Sequence, residues 1–324
     1  MPTMRAAIAT AQGIAFHNDV PRPVPGDNDV LVKVAVAGVN RADLNNAKAT
    51  ATSPFLIVGQ DWAGEVVEVG KNVKGIAKGQ MVMCFGRNGG YAEYAVTDAG
   101  WAMPFNPREI KIEQAGTLPL SLMTAHDALK THGQLTPEKK VLVQGASSGV
   151  GILALQMARA MGATMIAGTS RDESKYPRLA ALGATLMLNP NKPEWSDELL
   201  KATDNKGVDV VIDFVSGATV SDSMKACAVL ARMVNVGRLG GTTANVNCDM
   251  HATKRITYTG VSFRTRNIAE ISDIFTKVRT DVLKDVVAGR IALPIDRTFK
   301  LEEASAAHTL MNANGQFGKI AIMI

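Results

Sequence analysis

Three glycines and two serines crowd into Gln144-Gly145-Ala146-Ser147-Ser148-Gly149-Val150-Gly151, between the apolar run Val141-Leu142-Val143 and a helix-like stretch from Ile152 to Met161. A strand, a tight turn and a helix start, in that order, make an anion site. The first N–H groups of a helix have no partner inside it, and the helix dipole favours negative charge there. With strands and helices alternating on both sides, the anion this motif suits is a dinucleotide pyrophosphate. A second candidate is Asn40, which follows an alternating strand pattern. Its amide has the chemistry to donate to a carbonyl oxygen or to position the ribose of such a dinucleotide, and equally to cap a turn.

The end of the next apolar stretch, Gly168-Thr169-Ser170-Arg171, bears on cofactor type. An acidic residue there would hold a ribose 2′-hydroxyl. A small residue followed by Arg171, with Lys175 nearby, suits a 2′-phosphate, and so NADPH. Ser170 to Glu173 also fits a helix capping box, and Arg171 and Lys175 also suit a solvated helix face.

No metal chemistry is expected. The cysteines, at 84, 227 and 248, match no zinc or redox spacing, and the histidines, at 17, 126, 132, 251 and 308, pair with no His or Cys at ligand spacing. An odd cysteine number without a framework suits a reducing, cytoplasmic setting.

The elements that must position these residues change character along the 324-residue chain. Residues 1–118 read as short strands, among them Val30 to Ala37, Gly64 to Val69, Gln80 to Cys84 and Tyr91 to Val96, broken by turns such as Asn88-Gly89-Gly90. From 119 to 262 strands and helices alternate. Helix, glycine and strand recur in Met161-Gly162-Ala163-Thr164 and Leu182-Gly183-Ala184-Thr185. Continuous apolar strands at 208–214 and 233–236 predict a parallel sheet covered on both faces. Residues 263–324 predict one long helix from Ile268 to Ala288, another from Leu301 to Asn312, and a closing strand from Lys319 that returns to the first domain.

The formal net charge is +5, but the basic residues are scattered, so no nucleic-acid partner is expected. No window approaches 18 apolar residues, so no membrane partner is expected either. The uncharged, β-prone run Ile256 to Val261 would be a liability as an open sheet edge, and a homodimer is expected.

Several separated motifs resemble the zinc-free quinone oxidoreductase group of the medium-chain dehydrogenases/reductases: Gly38-Val39-Asn40-Arg41-Ala42-Asp43, Gly59-Gln60-Asp61-Trp62-Ala63-Gly64, Ala146 to Gly151, Phe263-Arg264-Thr265-Arg266 and Gly318-Lys319-Ile320. The resemblance covers essentially the whole chain. It implies an α/β fold, with a Rossmann doubly wound parallel sheet domain at 119–262. A GroES-like β-rich catalytic domain at 1–118 is completed by 263–324. It implies that Asn40 stands near a position where zinc members have a ligand cysteine, and Gln60 where they have a histidine. Asp43 would fasten its loop, and Asp61 would accept backbone or arginine donors.

For the cofactor, the resemblance implies Asn40, Thr124, Ala146, Ser147, Ser148, Gly149, Val150, Ser170, Arg171 and Lys175. It adds Val215, Gly237, Arg238, Ser262, Phe263 and Arg264 at later strand ends, with Phe317, Gly318 and Lys319. Lys319 would reach a cofactor phosphate or lie exposed on its strand. Ser148 replaces a glycine of the dinucleotide fingerprint, so its hydroxyl is a candidate phosphate donor. Group members have a tyrosine where this chain has Pro190, and that contact is lost. Asn45, Trp62 and Tyr91 are the substrate-side candidates, with the loop to Phe55. The function implied is NADPH-dependent hydride transfer to a quinone or an α,β-unsaturated carbonyl (enone). The alternatives are a zinc-independent carbonyl or alcohol reductase, and an NADPH-binding protein with little turnover.

Overall fold

The computed structural model describes residues 2–48 and 56–324. The chain forms two compact units. One comprises the residues up to Ser121 and again from Asn267 onward, and the other runs from Leu122 to Arg266.

The first unit opens with an antiparallel pair, β1 (Thr3–Thr10) and β2 (Gly13–Pro21). Five strands follow: β3 (Asp29–Val39), β4 (Asp61–Val69), β5 (Met81–Phe85), β6 (Tyr94–Asp98) and β7 (Ala102–Pro104). Alternation along β3 sends Val30, Val32 and Val34 into a core with Trp62, Val66 and Val82, and leaves Lys33 exposed.

The second unit is a six-stranded, all-parallel sheet: β8 (Lys140–Gln144), β9 (Met165–Thr169), β10 (Leu186–Leu188), β11 (Val208–Asp213), β12 (Cys227–Asn235) and β13 (Thr257–Gly260). The spatial order is β10-β9-β8-β11-β12-β13. Numbered within the unit this is 3-2-1-4-5-6, the doubly wound order, and it reverses between β8 and β11. The central strand β8 is sealed along most of its length. Val141, Leu142 and Val143 are fully buried, each worth about 1.5–3 kcal/mol. The repeated helix–glycine–strand joint works through positive φ: Gly162 and Gly183 sit at 83° and 117°, ending one helix and releasing the chain into β9 or β10.

The remaining strands return to the first unit. β14 (Ile295–Lys300) pairs parallel with β15 (Lys319–Met323), and β15 pairs antiparallel with β3. The predicted helix from Ile268 to Ala288 is two helices, Ile268–Asp281 and Leu283–Val287. The chain bends at Val282, whose φ of −123° leaves the helical region while its side chain stays buried.

Candidate active site

Register builds the site of the first unit. Gly38 on β3 lies opposite Asp61 on β4, and Val39 opposite Ile320 on β15. The start of β4, the end of β3 and the start of β15 therefore lie side by side, which brings Asp61, Asn40 and Lys319 together. Lys319 Nζ is 2.5 Å from Asn40 Oδ1 and 3.1 Å from Asp61 Oδ2, and Asn40 Nδ2 donates to Asp61 Oδ2 at 2.9 Å. The other Asp61 oxygen accepts the Leu120 N–H at 2.7 Å. Burial raises the Asp61 carboxyl above its ordinary value, and Lys319, the Asn40 amide and the Leu120 N–H draw it back.

Two expectations need correcting. Asp61 does accept a backbone donor, the Leu120 N–H, but its cationic partner is Lys319 and not an arginine. Lys319 is neither an exposed strand residue nor placed as a phosphate ligand. It is 3% exposed, and its ammonium is engaged by Asn40, Asp61 and, at 3.5 Å, the Val39 carbonyl.

Asn40 leads into the helix Arg41–Lys48, and Asp43 in its first turn accepts the Asn40 backbone N–H at 2.8 Å. That is half of a capping box, and it fixes the loop that carries Asn40. The same Asp43 oxygen accepts the Tyr91 hydroxyl at 3.1 Å, and His308 Nε2 lies 3.3 Å from that hydroxyl. Burial, reinforced by the nearby Asp61 charge and opposed by the Asn40 N–H, pushes Asp43 up to about 7. Its second oxygen is buried without a hydrogen-bond partner. Burial pushes His308 down to about 4.

Trp62 and Tyr91 do not line a substrate site: both rings are wholly buried in the core of the first unit. The alternation that puts Trp62 inward on β4, and the Tyr91 bond to Asp43, explain this. Asn45 is exposed. Of the loop ending at Phe55, residues 49–55 lie outside the described residues. Phe317 and Gly318 are buried just before β15.

In the second unit the carboxyl ends of the strands carry the other candidates. Ala146 to Val150 follow β8, Ser170 and Arg171 follow β9, and Val215 follows β11. Gly237 and Arg238 follow β12, and Ser262 to Arg264 follow β13. Thr124 lies on the helix Pro119–His126.

The glycine-rich turn opens the helix Gly149–Ala160. Ser148 is its N-cap, accepting from the Gly151 N–H at 3.0 Å. Its own proton goes to the Gly145 carbonyl at 2.8 Å. The Ser148 hydroxyl therefore holds the turn closed and is not a free donor to phosphate. The first-turn N–H groups of Gly149 and Val150 keep no acceptor within the helix, and these fit an anion. A Cβ on Gly151 would stand 2.5 Å from the Gly145 carbonyl oxygen, so only glycine allows this close approach.

At the end of β9 the cap is Asp172, which accepts from the Ser174 N–H at 3.1 Å, and not Ser170. The helical turn here begins at Glu173, two residues later than a Ser170 cap requires. Ser170 instead accepts from the Asp172 N–H at 3.3 Å. Arg171 is exposed, and Lys175 Nζ is 3.7 Å from Asp172 Oδ2. Tyr176, which no sequence motif singled out, donates its hydroxyl to the Ser170 carbonyl at 3.3 Å. An aromatic hydroxyl thus reaches this strand end from the next helix, although Pro190 supplies none.

Residues 149–277 match the family described as zinc-binding dehydrogenase, and residues 26–107 match the alcohol dehydrogenase GroES-like domain. The quinone oxidoreductase of Sus scrofa is 30% identical over 314 residues, covering 95% of this chain and 93% of that protein. A Pseudomonas syringae pv. tomato quinone oxidoreductase structure superposes with a TM-score of 0.88 at 25% identity, covering both chains fully. The Escherichia coli quinone oxidoreductase, solved in complex with NADPH, superposes with a TM-score of 0.86 at 23% identity over 99% of each chain, a likeness of fold.

The residues here do not fit the zinc in the first family's description. Among the described residues no three His, Cys, Asp or Glu side chains converge as a metal site. Beside Asn40 stands an ammonium, which a metal cation would repel.

Proposed function

We propose, because this chain belongs to the quinone oxidoreductase group of the medium-chain dehydrogenases/reductases, that it is a zinc-independent, NADPH-dependent reductase of quinones or α,β-unsaturated carbonyls. The observation that carries this reading is the setting of Asn40: an amide donor at the end of β3, beside a lysine rather than among metal ligands. An amide and an ammonium are not ligands for a Lewis acid of the kind that lowers an alcohol's pKa. An amide does suit a carbonyl oxygen that gains negative charge as an electron-poor acceptor is reduced.

Bound NADPH supplies the hydride. The chain's own part is to bind, orient and exclude water. The N–H groups at Gly149 and Val150, with Ala146 and Ser147 beside them, take the pyrophosphate, while Ser148 and Gly151 keep the turn in shape. Arg171 takes the 2′-phosphate, with Lys175 in support, and Ser170 shapes the strand end through its bonds to Asp172. Thr124, Val215, Gly237, Arg238, Ser262, Phe263 and Arg264, with Phe317 and Gly318, serve the nicotinamide half. Asn40 donates to the acceptor's carbonyl oxygen, Asn45 lies on the substrate side, and water protonates the product.

The strand β13 is the sheet edge of the second unit, and Tyr258 on it is exposed. We assign it to a homodimer contact, which a monomer mass in light scattering at micromolar concentration would refute.

The test of the functional reading is oxidation of NADPH against a panel of ortho-quinones and 2-alkenals. Turnover on several of them supports it. Binding of NADPH with turnover on none replaces it with a binding role.

A further inference from the structure

The amide of Asn40 is clamped from both sides. Lys319 claims its oxygen at 2.5 Å, and Asp61 claims one of its N–H groups at 2.9 Å. An ammonium has only donors and a carboxylate only acceptors, so chemistry permits a single orientation. Turned over, the amide would set its NH2 against the ammonium and its oxygen against the carboxylate. The clamp closes on itself through the 3.1 Å contact between Lys319 and Asp61. Both charges are sealed, at 3% and 0% side-chain exposure. Replacing a buried ion pair with apolar side chains of the same volume is often neutral or stabilising, so stability is a weak reason for this one. With one N–H given to Asp61, the amide keeps one for a ligand.

We propose that Lys319 and Asp61 are positioning residues, which hold the Asn40 amide so that its remaining N–H meets the carbonyl oxygen of the acceptor. This rests on the reading of the chain as a quinone or enone reductase. The ammonium also draws electron density from the amide oxygen, which strengthens the N–H as a donor. No proton leaves Lys319 or Asn40, and the effect is purely electrostatic. Charge develops on the acceptor oxygen as the hydride arrives, so the benefit falls on the hydride step and not on cofactor binding.

The test uses full-length protein carrying Lys319→Met, and separately the double variant Lys319→Met with Asp61→Asn. The double variant buries no charge, and its new amide oxygen can still accept the Leu120 N–H, so it tests the idea even where the single variant misfolds. Three quantities are read: the single-turnover rate with NADPH bound, the Kd of NADPH, and the exchange protection of the Asn40 side-chain amide by NMR without ligand. The expected result is a hydride step about 10- to 100-fold slower. The least electron-poor acceptors should suffer most, NADPH affinity should change less than about twofold, and amide protection should be lost. A cofactor-phosphate role for Lys319 makes the opposite demand, weaker NADPH binding with an unchanged hydride rate, and that result overturns the proposal. So does an unchanged rate and an unchanged Kd. Wild-type protein that reduces no quinone or enone overturns the functional reading itself, and the proposal with it.

Discussion

Asp43 and His308 share a single hydroxyl: Tyr91 Oη lies 3.1 Å from Asp43 Oδ2 and 3.3 Å from His308 Nε2. Burial drives the two titrations past each other, the carboxyl from 3.8 up to about 7 and the imidazole from 6.5 down to about 4.

The two shifts act on stability with opposite signs. Between 3.8 and about 7 the folded chain holds a proton on Asp43 that the unfolded chain has lost, so this group's contribution falls as pH rises. Between about 4 and 6.5 the unfolded chain binds a proton on His308 that the folded chain refuses, so that contribution falls as pH drops. Asp43→Asn should gain about 2–3 kcal/mol on wild type as pH goes from about 5 to about 8. His308→Gln should gain about 2 kcal/mol on wild type in the reverse direction. Urea unfolding at the two pH values checks both, and equal offsets at both pH values would contradict the burial-driven shifts.

Cofactor choice is predicted to rest on the end of β9. NADPH should bind better than NADH. Arg171→Ala should weaken NADPH by about 10- to 100-fold, one charge-assisted hydrogen bond, and leave NADH nearly unchanged. Lys175→Ala should do less, because Asp172 already faces its ammonium. Equal affinities for the two cofactors in unmutated protein, measured by titration, would show the strand end to be misread.

Ser148→Ala should lower stability by about 1 kcal/mol through loss of the helix cap. The melting temperature should drop by a few degrees, and NADPH affinity should change only modestly, because the hydroxyl proton serves the Gly145 carbonyl. A tenfold loss of NADPH affinity without a change in melting temperature would make Ser148 a phosphate ligand after all.

Purified protein should hold no stoichiometric zinc and keep full activity after chelation. Asn40 and Gln60 offer no thiolate or imidazole, and the Lys319 ammonium disfavours a second cation. One zinc per chain by elemental analysis, with activity lost to a chelator, would refute this.

The second unit was largely legible because its signals are local. Apolar runs such as Val141 to Val143 announce buried strands, and the glycines at 162 and 183 announce helix ends within a few residues of the effect. The Ser170 cap was misassigned because a two-residue shift in where a helical turn begins moves the cap to Asp172. The break at Val282 carries no proline or glycine to announce it. The clamp on Asn40 was illegible for a different reason. Its members are 258 and 279 residues from Lys319, and only the register of β15, β3 and β4 brings them together. Alternation says which strand residues point inward, but not which strands are neighbours, so the sequence leaves Trp62, Tyr91 and Lys319 open to ligand contacts while the fold buries all three.

The first unit is built from two stretches separated by the whole of Leu122 to Arg266. On the ribosome the inserted unit, continuous in sequence, can complete its sheet while β15 is still unmade. Asp61 is by then long synthesised, but its counter-charge has not yet been added to the chain. The two partners of the buried ion pair are thus made on opposite sides of the inserted unit, and Asp61 has no Lys319 to meet until β15 has been synthesised.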